Sequence, residues 1–240
     1  LANVASSGCS MRTVKRKLQA VRAFYKYLLR KNVVEANPAM EVETAKVPKR
    51  LPDCVKMENV ERLFDKAERS DDFEEVRDRL IMLMLFTTGI RRGELVGLRD
   101  RDVSANELKV HGKRNKDRIV PFGPELSEEI ANYRAIRAAQ VGETEMFFVR
   151  SNGEAVYPTL VYRLVHKELS EVGGCSRYSP HVLRHTFASA MLNNGAQLNS
   201  VKELLGHESL AATQVYTHIT HRELKSNYEH AHPRALKKGG

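Results

Sequence analysis

One run of seven residues, positions 80–86, constrains the fold more than any other part of the chain. Its sequence, LIMLMLF, is apolar on every side of a helix, so protein must enclose it completely. The run is too short to cross a bilayer, which takes about 20 apolar residues. We therefore predict a buried central helix over residues 73–87, next to a second helix over residues 60–67.

An arginine pair follows the central helix directly. Gly89 is the expected helix stop, and Arg91 lies just beyond it. An arginine emerging from so apolar a neighbourhood is held rigidly, which suits a phosphate clamp. The alternative is a helix-terminal salt bridge with Glu94. Because Arg92 adjoins Arg91, spacing alone does not choose between the two.

A second cluster of polar residues lies in positions 180–216. The Asn-Asn-Gly run that ends at Gly195, and Gly206, mark the ends of two successive helices. The polar side chains therefore lie near helix ends and turns, where a large anion can reach them. They are His181, Arg184, His185, His207 and Tyr216.

Within that cluster, a spacing of three places His181 and Arg184 on one helix face. The His-x-x-x-His spacing of His181 and His185 suits zinc, but Val182 stands where the metalloprotease motif has glutamate. We therefore predict no metal site.

Four motifs in this order resemble the tyrosine recombinases, the phage integrase family, and among them the bacterial Xer recombinases. The first is Thr-Gly-Ile-Arg-Arg-Gly-Glu-Leu at residues 88–95, and the second is Gly112-Lys113 in a predicted hairpin turn. The others are His-Val-Leu-Arg-His at 181–185, and Leu-Leu-Gly-His at 204–207 followed by Tyr216. The likeness extends from about residue 11 to residue 235.

The resemblance implies a set of catalytic residues that need no cofactor: Arg91, Lys113, His181, Arg184, His207 and Tyr216. Fixed cations stabilise the charge that builds on a phosphodiester under attack. Tyr216 is the expected nucleophile, His181 the base, and Lys113 the acid that protonates the leaving 5′ oxygen, with Lys116 as the competing lysine. The product is a 3′-phosphotyrosyl link to DNA. Glu94 and His185 are expected to support this set.

Charge is concentrated at the start of the chain. The chain's formal net charge is +9, and residues 1–52 contain eleven Lys and Arg but only three Asp and Glu. Apolar residues at spacings of three and four predict a helix over residues 11–31, with basic residues largely off its apolar stripe. A solvated helix face is the alternative to a phosphate-facing one. The expected DNA contacts are Arg12, Lys15, Arg16, Arg22, Lys26, Lys49, Arg50, Arg114 and Lys116.

The remaining patterns predict a mainly α fold with a small antiparallel β-sheet. We expect hairpins over residues 107–122 and 146–156, and helices over 124–141, 159–172 and 222–229. The resemblance implies the α+β catalytic domain of tyrosine recombinases over residues 56–240. It also implies a partial helical core-binding (SAM-like) domain over residues 1–45, which lacks its own N-terminal part, and a linker over 46–55.

The predicted function is site-specific recombination of double-stranded DNA at an inverted-repeat site, in chromosome dimer resolution or in integration and excision of a mobile element. The alternatives are a type IB topoisomerase-like enzyme and a catalytically silent DNA-binding regulator. The resemblance implies a homo- or heterotetramer, with a paralogous recombinase or an accessory factor as a further partner. Three scattered cysteines and no visible signal peptide favour the cytoplasm, with no membrane partner.

Overall fold

The computed structural model describes residues 9–43, 54–65, 70–112, 117–206, 228 and 230–232. The chain divides into two compact units, Leu1–Leu51 and Pro52–Gly240. Nearly all of the predicted linker over residues 46–55 lies outside the described residues. Within the described residues, no helix is long and apolar enough to cross a membrane.

The first unit is built on one helix, α1 (Met11–Arg30), which confirms the helix predicted over residues 11–31. Val14 and Leu18 of the predicted apolar stripe are buried. Met11 and Val21 of the same stripe are 41% and 44% exposed, so the described residues of this unit cover only some positions of the stripe.

The second unit contains the remaining elements. Its helices are α2 (Met57–Asp65), α3 (Phe73–Thr88), α4 (Arg92–Val96), α5 (Pro124–Gln140), α6 (Pro158–Val172), α7 (Pro180–Asn193) and α8 (Leu198–Leu205). A short 3-10 helix (Asp100–Asp102) precedes strands β1 (Glu107–His111) and β2 (Asp117–Pro121). The fold is therefore mainly helical with a small antiparallel sheet, as predicted.

Helix α3 is the centre of this unit. Asp72 caps its first turn by accepting hydrogen bonds from two backbone N–H groups, and every side chain from residue 80 to residue 86 is at most 3% exposed. The helix packs against α5 and α7. It ends at Gly89, whose φ of 61° lies in the left-handed region. The end of α3 therefore fixes where the following segment, with Arg91, begins.

One predicted hairpin is confirmed as a strand pair, and the other forms only a minimal antiparallel turn. Strands β1 and β2 pair antiparallel, with His111 opposite Asp117 at the turn. The segment over residues 146–156 has one antiparallel bridge, between Val149 and Ala155, with backbone hydrogen bonds from residue 156 to residue 148 and from residue 150 to residue 154. Three consecutive side chains, residues 147–149, are buried there, so protein covers both faces of this segment. The Val149 N–H donates to the Tyr133 hydroxyl instead of to a partner strand.

The last described residues belong to the core of their own unit. Tyr228, Ala231 and His232 are at most 4% exposed, and the His232 ring centroid lies 5.3 Å from that of Phe86. Asn194 Nδ2 donates to Ala231 O at 2.9 Å. Ala231 and His232, at the start of the C-terminal tail, thus pack inside the unit. The predicted helix over residues 222–229 lies almost entirely outside the described residues.

Gly89 offers a direct test of how tightly α3 meets α7. A Cβ at this position meets Phe187 Cδ1 at 2.5 Å, and φ is 61°. Gly89→Ala should therefore lower the free energy of unfolding by about 2–4 kcal/mol, through left-handed strain and overpacking. Urea denaturation measures the change.

The matched control is Gly93→Ala inside α4, where an added Cβ meets nothing within 4 Å. Alanine there should leave the stability unchanged or raise it by up to about 1 kcal/mol, because Gly disfavours helix. Equal effects of the two substitutions would contradict the packing at Gly89.

Candidate active site

The C-terminal end of α8 accepts hydrogen bonds from three different arginines. The last carbonyls of a helix have no partner within the helix. The pairs are Leu204 O with Arg118 Nε at 2.7 Å, Leu205 O with Arg184 Nη2 at 2.5 Å, and Gly206 O with Arg91 Nη2 at 2.9 Å. The arginines come from β2, from α7 and from the residue before α4. Three guanidinium groups that are far apart in sequence therefore meet at one helix end.

Glu94 joins two of these arginines. Its carboxylate accepts from Arg91 N and from Arg91 Nη1, both at 2.7 Å. It also accepts from Arg118 Nη1 at 3.0 Å and from Arg118 Nη2 at 2.8 Å. Burial by itself raises the pKa of Glu94, but the hydrogen bonds from Arg118 and Arg91 outweigh it and lower the pKa to about 2. Glu94 is therefore an anion at all physiological pH values.

Arg184 and Arg91 differ in their access to solvent. Arg184 is 6% exposed, and its Nη1 donates to Gly89 O at 2.6 Å, so it ties the end of α3 to the end of α8. Burial, followed by the charge of Arg91, lowers the pKa of Arg184 to about 10, which still leaves it protonated at neutral pH. The Arg91 side chain is 39% exposed. A ligand in solvent thus reaches Arg91 directly.

His181 lies on the same helix as Arg184, one turn towards the N-terminus of α7. Partial desolvation, followed by the charges of His185 and Arg184, lowers the pKa of His181. Its imidazole is therefore mainly neutral at pH 7 and able to accept a proton. His185 is exposed on the helix surface. It lies near enough to oppose the protonation of His181, and it does not pack into the core.

At the base of the turn between β1 and β2, one histidine forms hydrogen bonds with two carboxylates. His111 Nδ1 lies 2.9 Å from Asp117 Oδ1, and His111 Nε2 lies 3.2 Å from Asp102 Oδ1. The hydrogen bond to Asp117, followed by that to Asp102, raises the pKa of His111. The turn that starts after His111 contains Lys113.

Several of the predicted site residues lie outside the described residues: Lys49, Arg50, Lys113, Arg114, Lys116, His207 and Tyr216. The same holds for the side chain of Arg12. Their roles stay predictions. Among the other expected DNA contacts, Arg16 and Lys26 are exposed on α1 and Lys15 is half-buried.

Arg22, the remaining expected DNA contact, has protein partners in the structure. Its Nε donates to Ala39 O at 2.8 Å, and its Nη2 donates to Val42 O at 2.9 Å. These hydrogen bonds fasten the segment after α1 back onto the helix. They give Arg22 a structural role, and its predicted DNA contact stays untested.

Arg118 is the site residue that the sequence analysis missed. It lies within the hairpin predicted over residues 107–122 but was given no role there. A signal was present, because residues two apart in a strand share a face, and Val120 on β2 is fully buried. The strand period thus directs Arg118 inward, towards Glu94.

Glu94 predicts an acid-dependent loss of stability. Its folded pKa lies below the unfolded value of 4.5, so its contribution is present above pH 4.5 and is lost as the pH falls towards 2. Glu94→Gln should cost about 3 kcal/mol at pH 6, and this difference should shrink as the pH falls through that window. Urea titrations at pH 6 to pH 2.5 measure it, with Glu61→Gln on the exposed side of α2 as the control. A difference that does not vary with pH would contradict the buried ion pairs.

His111 predicts the opposite dependence on pH. Its folded pKa is raised, so its stabilising effect is complete below the unfolded value of 6.5 and is lost as the pH rises through the folded value. An NMR titration should find the His111 pKa above 6.5. Asp117→Asn should move it down, because the hydrogen bond from Asp117 is the largest cause. An unchanged pKa in that variant would contradict the contact.

Comparison with known proteins agrees with this geometry. Residues 54–223 match the phage integrase family. Tyrosine recombinase XerC of Chlorobaculum tepidum is 39% identical over 259 residues, which cover 98% of this chain and 77% of the relative. Tyrosine recombinase XerC of Listeria welshimeri is also 39% identical, over 94% of this chain and 77% of the relative.

Two solved structures have a similar fold. The XerA recombinase is 26% identical, with a TM-score of 0.59 over 96% of this chain and 80% of its own. The XerH site-specific recombinase bound to palindromic difH substrate is 23% identical, with a TM-score of 0.73 over 95% of this chain and 66% of its own. The chain therefore belongs to the phage integrase family and is a XerC-like tyrosine recombinase, an enzyme of site-specific DNA strand breakage and rejoining.

Proposed function

We propose that the chain cleaves and rejoins duplex DNA through a 3′-phosphotyrosyl link at Tyr216, with Arg91 and Arg184 as the phosphate clamp. The observation that carries this proposal is the pair of guanidinium groups bound to the adjacent carbonyls of Leu205 and Gly206. A guanidinium has five N–H donors. The hydrogen bonds described here use two of them on Arg91 and two on Arg184. The remaining donors suit the non-bridging oxygens of a phosphodiester.

The chemistry follows from where charge develops. Attack on phosphorus builds negative charge on the non-bridging oxygens, and cations already fixed there stabilise it without reorganisation. The neutral imidazole of His181 takes the proton of the Tyr216 hydroxyl. Lys113 gives a proton to the leaving 5′ oxygen. His207 follows Gly206 directly in the chain, so the helix end bound by Arg91 sets where the segment towards His207 and Tyr216 starts.

The bonds formed and broken at phosphorus explain why the proposed reaction needs no ATP. The Tyr216 oxygen forms a bond to phosphorus as the bond from phosphorus to the 5′ oxygen breaks. The 5′ hydroxyl of another strand then attacks the same phosphorus and releases the tyrosine. Each step exchanges one phosphodiester for another, so little free energy is lost.

The proposed substrate is double-stranded DNA with an inverted-repeat recombination site, met in the cytoplasm. We infer a homo- or heterotetramer on two duplexes, with a paralogous recombinase or an accessory factor as a further partner. A λ integrase tetramer has been solved bound to a Holliday junction. The XerC relatives favour chromosome dimer resolution over integration of a mobile element. Residues 1–45 would act as the core-binding domain, with exposed Arg16 and Lys26 of α1 towards phosphate.

Covalent trapping tests the proposal. Labelled, nicked duplexes from the source genome are mixed with the protein, and the reaction is stopped in SDS. The wild-type chain should give a retarded adduct. Tyr216→Phe should give none while it binds the duplex with the same affinity, because only the nucleophilic oxygen is removed. An adduct with Tyr216→Phe would mean that another residue is the nucleophile.

The same assay tests the clamp and the alternatives. Arg184→Lys is preferable to alanine, because alanine leaves the Gly89 and Leu205 carbonyls without their buried donor. Lysine keeps the positive charge but lacks the planar guanidinium that donates two parallel hydrogen bonds. The substitution should therefore slow adduct formation at least about 100-fold. Duplex binding without any adduct from the wild-type chain would favour a silent regulator. Relaxation of supercoils without strand exchange would favour a type IB topoisomerase.

A further inference from the structure

We infer that Arg118 is a positioning residue for strand cleavage, which holds Arg91 through Glu94 and holds the end of α8 through Leu204 O. The inference rests on the proposed role of Arg91 in binding the phosphate. Arg118 itself has no place in the reacting set, and it acts only by fixing the groups that do.

All three nitrogens of the Arg118 guanidinium group donate hydrogen bonds to protein atoms. Its Nε donates to Leu204 O at 2.7 Å, and its two Nη atoms donate to the two oxygens of Glu94 at 3.0 and 2.8 Å. The two hydrogen bonds to Glu94 form a bidentate pair of fixed geometry. Only 11% of the side chain is exposed. Each Arg118 nitrogen has a protein acceptor, whereas the described hydrogen bonds of Arg91 and Arg184 use only their two Nη atoms. We therefore assign Arg118 no direct contact with the DNA backbone.

The contacts that a Cβ at Gly206 would make show how closely Arg118 approaches the end of α8. A Cβ on Gly206 would lie 3.0 Å from Arg118 Nη1 and 3.2 Å from Arg118 Cζ. Gly206 also has a φ of 61°, which side chains with a Cβ disfavour. Glycine is thus the residue that allows both the left-handed end of α8 and the guanidinium packed against it. The chain that leads to His207 leaves from this contact.

The charge balance explains what Arg118 does for Arg91. Glu94 is an anion, and alone with Arg91 it would pair with that guanidinium and neutralise it. Arg118 donates one hydrogen bond to each oxygen of Glu94 and supplies a second positive charge. Arg91 therefore stays oriented by Glu94 while its charge remains available to a phosphate. Loss of Arg118 should let Glu94 withdraw Arg91 from the phosphate.

Arg118 also relates the hairpin turn to the arginines. It is the second residue of β2, five positions after Lys113. Its hydrogen bonds fix the start of β2 against α8 and α4, so the turn with Lys113 starts from a strand pair held at the phosphate clamp. One side chain thus sets the relative position of β2, the end of α8 and the start of α4, which follows Arg91 directly.

The first experiment compares Arg118→Lys, Arg118→Gln and a matched control, Arg137→Lys. Arg137 is a buried arginine whose donors also bind a carboxylate and a carbonyl, those of Asp100 and Phe147. Three quantities are measured for each variant: the single-turnover rate of adduct formation, the Kd for the duplex and the unfolding temperature. Arg118→Lys should slow adduct formation about 10- to 100-fold with an unchanged Kd, because it keeps the charge and loses the fork. Arg137→Lys should lower the unfolding temperature as much and leave the rate unchanged.

Two results would overturn the inference. If Arg137→Lys and Arg118→Lys slow cleavage equally, Arg118 serves stability alone. If Arg118→Lys raises the Kd for the duplex by the same factor as it lowers the rate of adduct formation, Arg118 contacts DNA. A double-mutant cycle with Glu94→Gln adds a further test. The double variant should form the adduct no more slowly than the slower single variant, because both substitutions act through the same ion pair. A rate reduced by the product of the two single effects would contradict this.

A readout without DNA separates this inference from the proposed function. In protein labelled with 15N-arginine, the Nε–H signal of Arg91 is assigned from its loss in Arg91→Lys. We expect this signal to be sharp in the wild-type chain and broadened in Arg118→Lys. An unchanged signal would overturn the role of Arg118. If the wild-type chain forms no adduct, the proposed function fails, while this measurement still decides whether Arg118 holds Arg91.

Discussion

The hydrogen bonds between the end of α8 and three arginines are the interaction on which the rest of the site depends. A guanidinium loses its hydration when it is buried, and this costs several kcal/mol unless its donors are satisfied. The helix end provides partial negative charge of about half an elementary charge, and Glu94 provides a full one. Three positive charges therefore face less than two negative ones. In the proposed function, an incoming phosphate would neutralise this surplus positive charge.

The two clamp arginines have complementary tasks because their burial differs. Arg184 lies in the core and joins two helix ends, so its position depends on the packing of α3 against α7. Arg91 is partly open to solvent, and its orientation comes from Glu94 and Gly206 O. Burial, followed by the charges of His185 and of the arginines, lowers the pKa of His181. The cations near the proposed phosphate site thus add to the effect of burial that keeps the proposed base unprotonated.

Periodicity and helix-end signals predicted most of the fold. The apolar run of α3, the glycines at positions 89 and 206 and the alternation in β1 and β2 gave elements close to those in the structure. The hairpin over residues 146–156 is reduced to one bridge, and Val149 N–H donates to the Tyr133 hydroxyl. Met11 and Val21 of the α1 stripe are exposed, because periodicity shows which residues share a face and not what covers it. The resemblance to the tyrosine recombinases placed Arg91 and Arg184 in one site, whereas the place of Arg118 depends on a contact 86 residues away along the chain.

The burial of Tyr228 in the same unit as Gly206 has a consequence for the nucleophile. Tyr216 lies ten residues after Gly206 and twelve before Tyr228, so both ends of its segment are attached to one body. Ten residues reach at most about 35 Å, so Tyr216 lies within that distance of Gly206. In the proposed reaction, a DNA strand joined to Tyr216 would stay within the same distance of the arginines at the end of α8 until it is rejoined.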